Sequence, residues 1–169
     1  MQIMKSRLSA RWIAHPSVRL LRYILSASKV EDGLLLLTKA GFSSVTDQKD
    51  TLLLHGTLFN QKDTIISLFA IGDIIDEVLI SIQTPSNWQI VRKEYLKMQR
   101  VLHRTTLLRI ASQRQFAPPY KEGDGRELEA IKSGSCHYVS IYRYSKKVIG
   151  LSVGYMHNHP QILISITPI

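Results

Sequence analysis

The sequence predicts an α+β fold in which antiparallel sheet meanders are packed by two amphipathic helices. Three observations carry this expectation: two segments with helical periodicity and capping signals, two separate groups of short alternating strands, and turn-forming clusters between those strands. Because the order helix-plus-strands occurs twice, two tandem halves at 18–85 and 86–169 are expected within one domain, behind a basic arm at 1–17.

The first helix is signalled by SKVEDGLLLLTKAGF, where Ser28 and Glu31 have capping-box spacing and Gly41 is placed to end the helix in a left-handed conformation. The preceding VRLLRYIL fits either an amphipathic helix or an entering strand. Residues 44–83 read as a meander, because TDQKD, NQKD and GD separate short apolar pieces. A period of two puts Leu52, Leu54 and Leu58 on one side, and likewise Ile74, Val78, Ile80 and Ile82.

Pro85 stops that run, and SNWQIVRKEYLKMQRVLHR supplies the second helix, with Ser86 and Gln89 repeating the capping-box spacing. Trp88, Val91, Tyr95, Met98 and Leu102 form its apolar stripe, which is expected to pack on the sheet. LLRIASQRQF then reads as a strand and APPYKEGDG as a loop. ELEAIKSGSCHYVSIYRYSKK reads as strands dividing near Gly134, followed by VIGLSVGYMH and QILISITPI. Ile149, Leu151, Val153 and Tyr155 share one face, as do Ile162, Ile164 and Ile166.

Composition bounds the function. Hydrophobic residues make up 44% and charged residues 21%, ordinary globular usage, so a packed core rather than a disordered chain is expected. The single cysteine, Cys136, excludes an internal disulfide framework and a cysteine-rich zinc module, and is read as a buried thiol. Arg11, Arg19 and Arg22 interrupt every apolar run near the N-terminus, so no signal core or spanning helix is expected and a cytoplasmic protein is favoured.

The formal charge of +9 is unevenly spread. Lys5, Arg7, Arg11, Arg19, Arg22 and Lys29 all precede the first acid, Glu31, and a second concentration runs from Arg92 to Arg114 with Glu94 as its one acid. Lys93, Lys97, Arg100 and Arg104 fall at helical spacing opposite the apolar stripe, which makes them the candidate anion-binding residues, against the plainer reading of a solvated helix face. Tyr138, Tyr142 and Tyr144 share a strand face that ends in Lys146 and Lys147, a candidate stacking surface for single-stranded nucleic acid, against packing under a helix.

A helix ending in KAGF, strands containing LLLHGTLFNQKDTI, a helix after PSNW and a closing meander together resemble small uncharacterised proteins of Bacteroides-type gut bacteria, over residues 18–169. Members of that group often carry an export signal; none is expected here, which leaves localisation open. The layout is also similar to the tandem fold of the beta-lactamase inhibitor proteins, which implies fold but transfers no activity.

One motif hints at catalysis. HNHP resembles the metal-binding motif of the JAB/MPN metallohydrolases, in which two histidines and a following aspartate hold zinc, and this would make His157 and His159 the ligands. The resemblance fails downstream, because Ser165 has no aspartate behind it and no acid follows His159. Asn158 and Pro160 between two apolar strands instead read as a hairpin connection. Cys136 and His137 are adjacent on a strand and point to opposite faces, which argues against a nucleophile–base pair. No phosphate loop or nucleophile elbow is present. The expectation is therefore a non-catalytic binding module without a cofactor, whose partner is another protein, with anionic polymer or membrane as the alternative and no small-molecule substrate.

Overall fold

The structure, a computed structural model, describes residues 16–48, 50–105 and 108–169. All of the proposed basic arm except Pro16 and Ser17 lies outside the described residues.

Four helices and eight strands follow in the order α1 (Pro16–Ser26), α2 (Val30–Lys39), β1 (Ser43–Gln48), β2 (Thr51–Leu58), β3 (Gln61–Ile71), β4 (Ile74–Gln83), α3 (Trp88–Thr105), β5 (Leu108–Phe116), α4 (Glu127–Lys132), β6 (Cys136–Tyr144), β7 (Lys147–Met156) and β8 (His159–Pro168). The strands form one open antiparallel sheet in the order β1-β2-β3-β4-β8-β7-β6-β5. Two four-stranded meanders therefore meet along β4 and β8, where Ile80 stands opposite Ile164 and Ile82 opposite Ile162. The α+β expectation holds.

The ambiguous VRLLRYIL is helical: α1 buries Val18, Leu20, Leu21, Ile24 and Leu25 along one stripe. Neither expected capping box forms. At α2 the cap is Lys29 with no side-chain bond, because the Val30 N–H donates to the Asp73 carbonyl and the Ile75 N–H to that of Ser28. The β3–β4 turn thus satisfies one first-turn donor, the Val30 N–H, through its own backbone. At α3 the Asn87 side chain, rather than Ser86, accepts from the Ile90 N–H at 3.2 Å. Gly41 does end α2, at a φ of 89°, with the Phe42 N–H returning to the Leu37 carbonyl.

Two further expectations need correcting. ELEAIK is the short helix α4 and not part of a strand; Ala130 and Ile131 are buried by it, while Gly134 ends the turn with a φ of 73°. Ile74 is not on the core face but 58% exposed, and Ile75 is buried in its place. The register between β3 and β4 slips there: Phe69 faces Glu77 and Ala70 faces Ile75, so the extra residue Asp76 reverses the alternation.

The four helices among the described residues lie on one side of the sheet. Against them pack Leu52 and Leu54 of β2, Ile66 and Leu68 of β3, and Val78, Ile80 and Ile82 of β4. From the other half come Tyr138 and Tyr142 of β6, Ile149 and Leu151 of β7, and Ile162, Ile164 and Ile166 of β8. The expected stripe of Trp88, Val91, Tyr95, Met98 and Leu102 is the matching surface of α3. Among the described residues no element covers the opposite side.

Candidate functional site

The helix-covered side accounts for the tyrosines. Tyr138 is 2% exposed and Tyr142 fully buried beneath α3, with Tyr144 packed at the margin. Tyr138 meets Trp88 edge-on at 5.1 Å and Tyr95 at 5.4 Å. Burial pushes its hydroxyl up to about 12, and the Glu122 carboxylate bonded to it acts in the same direction. These rings fill a core and offer no face to a base.

Beneath α3 a polar network ties the helix to β5 and β6. The Ser140 hydroxyl, fully buried, lies 2.8 Å from the Tyr95 hydroxyl and 3.0 Å from that of Ser112, and it accepts from the Gln99 amide at 2.8 Å. The Tyr142 hydroxyl donates to the Gln99 carbonyl, and Arg114 of β5 donates to the Gln99 side-chain oxygen while its guanidinium sits 6.0 Å from the Tyr95 ring. Burial raises the Tyr95 and Tyr142 hydroxyls above their ordinary range. With every member hydrogen-bonded to another, the network reads as an anchor for the outermost strand.

The basic stripe of α3 is partly assembled. Lys97, Arg100 and Arg104 line one cleft of about 270 Å³ with Val101, and Lys93 is not in its described lining. The cleft is not purely cationic, since the Lys97 ammonium pairs with Glu94 at 3.1 Å and donates to the Phe59 carbonyl. Arg100 turns its Nε back to the Leu96 carbonyl.

HNHP forms the β7–β8 hairpin. His157 and Asn158 are its two turn residues, with φ of 50° and 64°, and Met156 faces His159 across it. Positive φ at both central positions is the type I′ geometry whose twist matches paired strands. Both histidines are exposed, and among the described residues no group of three His, Cys, Asp or Glu side chains could hold a metal. Cys136 is buried and its thiol pushed up to about 11 by that burial, while His137 points to solvent.

The surface that sequence reasoning missed is the uncovered side of the sheet. Its first row runs Leu53, Ser67, Leu79, Ser165, Gly150, Ile141, Ala111 across seven strands. The second runs His55, Ile65, Ser81, Leu163, Ser152, Val139, Gln113. Aliphatic side chains are interspersed with Ser, Gly and Ala in both rows, Gln113 ends the second, and His55 is the one ionisable residue of the two. A Cβ on Gly154 would meet Leu163 Cδ1 at 2.8 Å, so Leu163 lies down over that glycine. Toward β5 the face opens a shallow hollow of about 390 Å³ lined by Ala111, Ser112, Gln113, Val139 and Ile141. The signal was present as the residues between the core positions, but a half-polar alternation reads as an ordinary solvated face until the described elements are seen to lie on the other side.

Charge divides along the same sheet. Strands β3 and β4 carry Asp63, Asp76 and Glu77, whereas β5 through β8 contain no Asp or Glu at all. Among the described residues no helix is long and apolar enough to cross a membrane. No protein-family model matches the chain, nor does any curated protein or solved structure.

Proposed function

We propose that this protein is a non-catalytic binding module whose uncovered sheet face docks a partner protein with an aliphatic centre and an acidic rim. The observation that carries this reading is the pair of charge-poor rows described above, lying on a side of the sheet with no described layer over it. Aliphatic residues separated by small ones give a flat surface into which a partner's side chains can interdigitate, and desolvating it strands no charge. Acid at the partner's rim follows from the acid-free second meander and the overall charge of +9. In this reading the two meanders are tandem halves that together build one continuous surface, in keeping with the Bacteroides-type and inhibitor-like layouts.

The test uses Leu163→Glu at the centre of the face and Lys93→Glu on exposed α3 as a control. A protein captured from the source lysate, identified and purified, should bind wild type and Lys93→Glu alike and lose more than about tenfold affinity for Leu163→Glu, the scale of a central contact. Equal affinity for Leu163→Glu refutes the reading.

A second reading, binding of nucleic acid or anionic membrane, draws its support from the cleft of Lys97, Arg100 and Arg104. It requires heparin retention that falls steeply with salt and falls again in Lys97→Glu/Arg100→Glu. Salt-insensitive retention removes it.

A further inference from the structure

The two ends of the sheet are not alike. β1 is a six-residue edge with a register slip between Ser44 and Thr46. β5 is a nine-residue edge, LRIASQRQF, exposed along nearly its whole length, with Leu108 and Ile110 57% and 55% exposed. Its register with β6 is unbroken from Ala111 to Phe116, so this stretch is a straight ladder. Natural edges are commonly shortened, covered or bent against chance pairing, and β5 beyond its slip near Ile110 carries none of these protections.

The backbone groups on that edge can be assigned. The Ala117 N–H donates to the Ser135 carbonyl at 2.8 Å, which continues the β5–β6 ladder by one residue. With a period of two, Ala111, Gln113 and Gln115 spend their backbone groups on β6, and the N–H and C=O of Ser112 and Arg114 turn outward. No described residue accepts from or donates to these outward groups through its backbone. The strand they belong to is held firmly in place, because Ser112 and Arg114 are the residues that the Gln99 and Ser140 network grips from the other side.

Charge selects the occupant. Arg109 and Arg114 lie on β5 and Arg143 beside it on β6, with no acid on either strand. In an antiparallel pairing of β5 with a second copy of itself about Ser112, whose backbone groups turn outward, Arg114 would stand opposite the slip at Arg109 and Ile110, a crowding of like charge that disfavours self-association.

We propose that the outer edge of β5 receives an extended acidic segment of a partner protein, which adds to the sheet as a ninth strand. The outward N–H and C=O groups of Ser112 and Arg114 bond its backbone, Leu108 meets its apolar side chains on the uncovered face, and Arg109 and Arg114 meet its carboxylates on the helix-covered face. This deepens the protein-binding reading above and rests on it.

The experiment uses fluorescein-labelled synthetic nonapeptides in which valine alternates with glutamate or, as a control, with lysine, titrated with the full chain and followed by anisotropy. Binding of the glutamate peptide alone is expected, weakening with salt and at least tenfold weaker for Arg109→Glu. Ser112→Pro removes one outward N–H at a position where the β6 ladder needs none, and should abolish binding, whereas Ser112→Ala, which keeps the N–H, should not. Amide exchange should slow at Ser112 and Arg114 on peptide addition. Should Ser112→Pro unfold, the Arg109 charge reversal and the exchange pattern decide. No binding, equal binding of both peptides, or protection confined to other strands overturns the proposal, as does a concentration-dependent dimer by sedimentation, which would give the edge to a second copy. If the peptide fails while partner affinity still depends on Leu163, the edge proposal falls and the face reading stands; if Leu163→Glu leaves partner affinity unchanged while the peptide binds, the reverse holds.

Discussion

Ser140→Ala isolates the network that holds β5. The hydroxyl it removes has three partners, two of which, Tyr95 and Gln99, are buried. Ser112 is exposed enough for water to replace its lost bond, and the Gln99 amide keeps a longer contact to Ser112 at 3.4 Å. The main cost is therefore the Ser140 bond lost to the buried Tyr95 hydroxyl, which keeps only the neighbouring Arg114 guanidinium, about 1–3 kcal/mol, with roughly 1 kcal/mol more for the weakened Gln99 bond. A total of about 2–4 kcal/mol corresponds to a fall in Tm on the order of 10 °C for a chain of this size. Tyr95→Phe alone should cost about 1 kcal/mol, because Ser140 keeps its other two partners. In the double variant no phenol remains to be orphaned, so its loss should fall short of the sum of the singles by about 1 kcal/mol or more. Urea unfolding of the four proteins measures this directly, and amide exchange in β5 should rise in step with the loss. Additive single losses, or a Ser140→Ala cost below about 0.5 kcal/mol, would refute the claim that the network is a satisfied unit.

Other consequences are independent of it. A Cβ at Gly56 would meet the Phe42 ring at 2.6 Å, and that ring is buried, so Gly56→Ala should cost about 1–3 kcal/mol in urea unfolding, whereas Gly154→Ala presses on the flexible end of Leu163 and should cost less. Asn158→Gly removes a non-glycine residue at a φ of 64° and should raise stability by up to about 1 kcal/mol; a loss instead would argue that the turn has another task. Burial raises the folded-state values of Tyr95, Tyr138 and Tyr142 above their ordinary 10, that of Tyr138 to about 12. The folded chain therefore holds protons that the unfolded chain releases, so their stabilising effect is complete below pH 10 and is lost as pH climbs toward 12. Phenolate absorbance should show these rings ionising together with unfolding. The Cys136 thiol, pushed up to about 11, should resist a thiol reagent at pH 8 in the native chain and react fully in denaturant; prompt native reaction would contradict its burial.

Most of the secondary structure was legible because it depends on periodicity. Every second residue of β7 and β8 from Ile149 to Ile166 that was assigned to the core is buried or half-buried there, and the α3 stripe faces the sheet as its spacing required. His157 and Asn158 were legible as a hairpin, since turn chemistry is local. The capping boxes at Ser28 and Ser86 failed for a tertiary reason at the first: the turn at Asp73 supplied the carbonyl that the Val30 N–H needed. The second was local, with Asn87 one residue nearer the helix. Ile74 was misplaced because a bulge adds a residue without leaving a mark in composition.

The candidate site was less legible. Lys97, Arg100 and Arg104 do share a cleft, because helical spacing alone places them on one side. Tyr138 and Tyr142 shared a strand face as expected, yet whether that face was open could be decided only by where α3 lies. The sequence by itself determined the alternation of the strands, the apolar stripes and the uneven charge, all of which are properties of neighbours along the chain. Only the tertiary structure decided that β4 meets β8, that the helices share one side, and that β5 ends the sheet. Those facts come from pairings between residues far apart in sequence, where each strand offers the same backbone groups and the packing of the whole selects the neighbour.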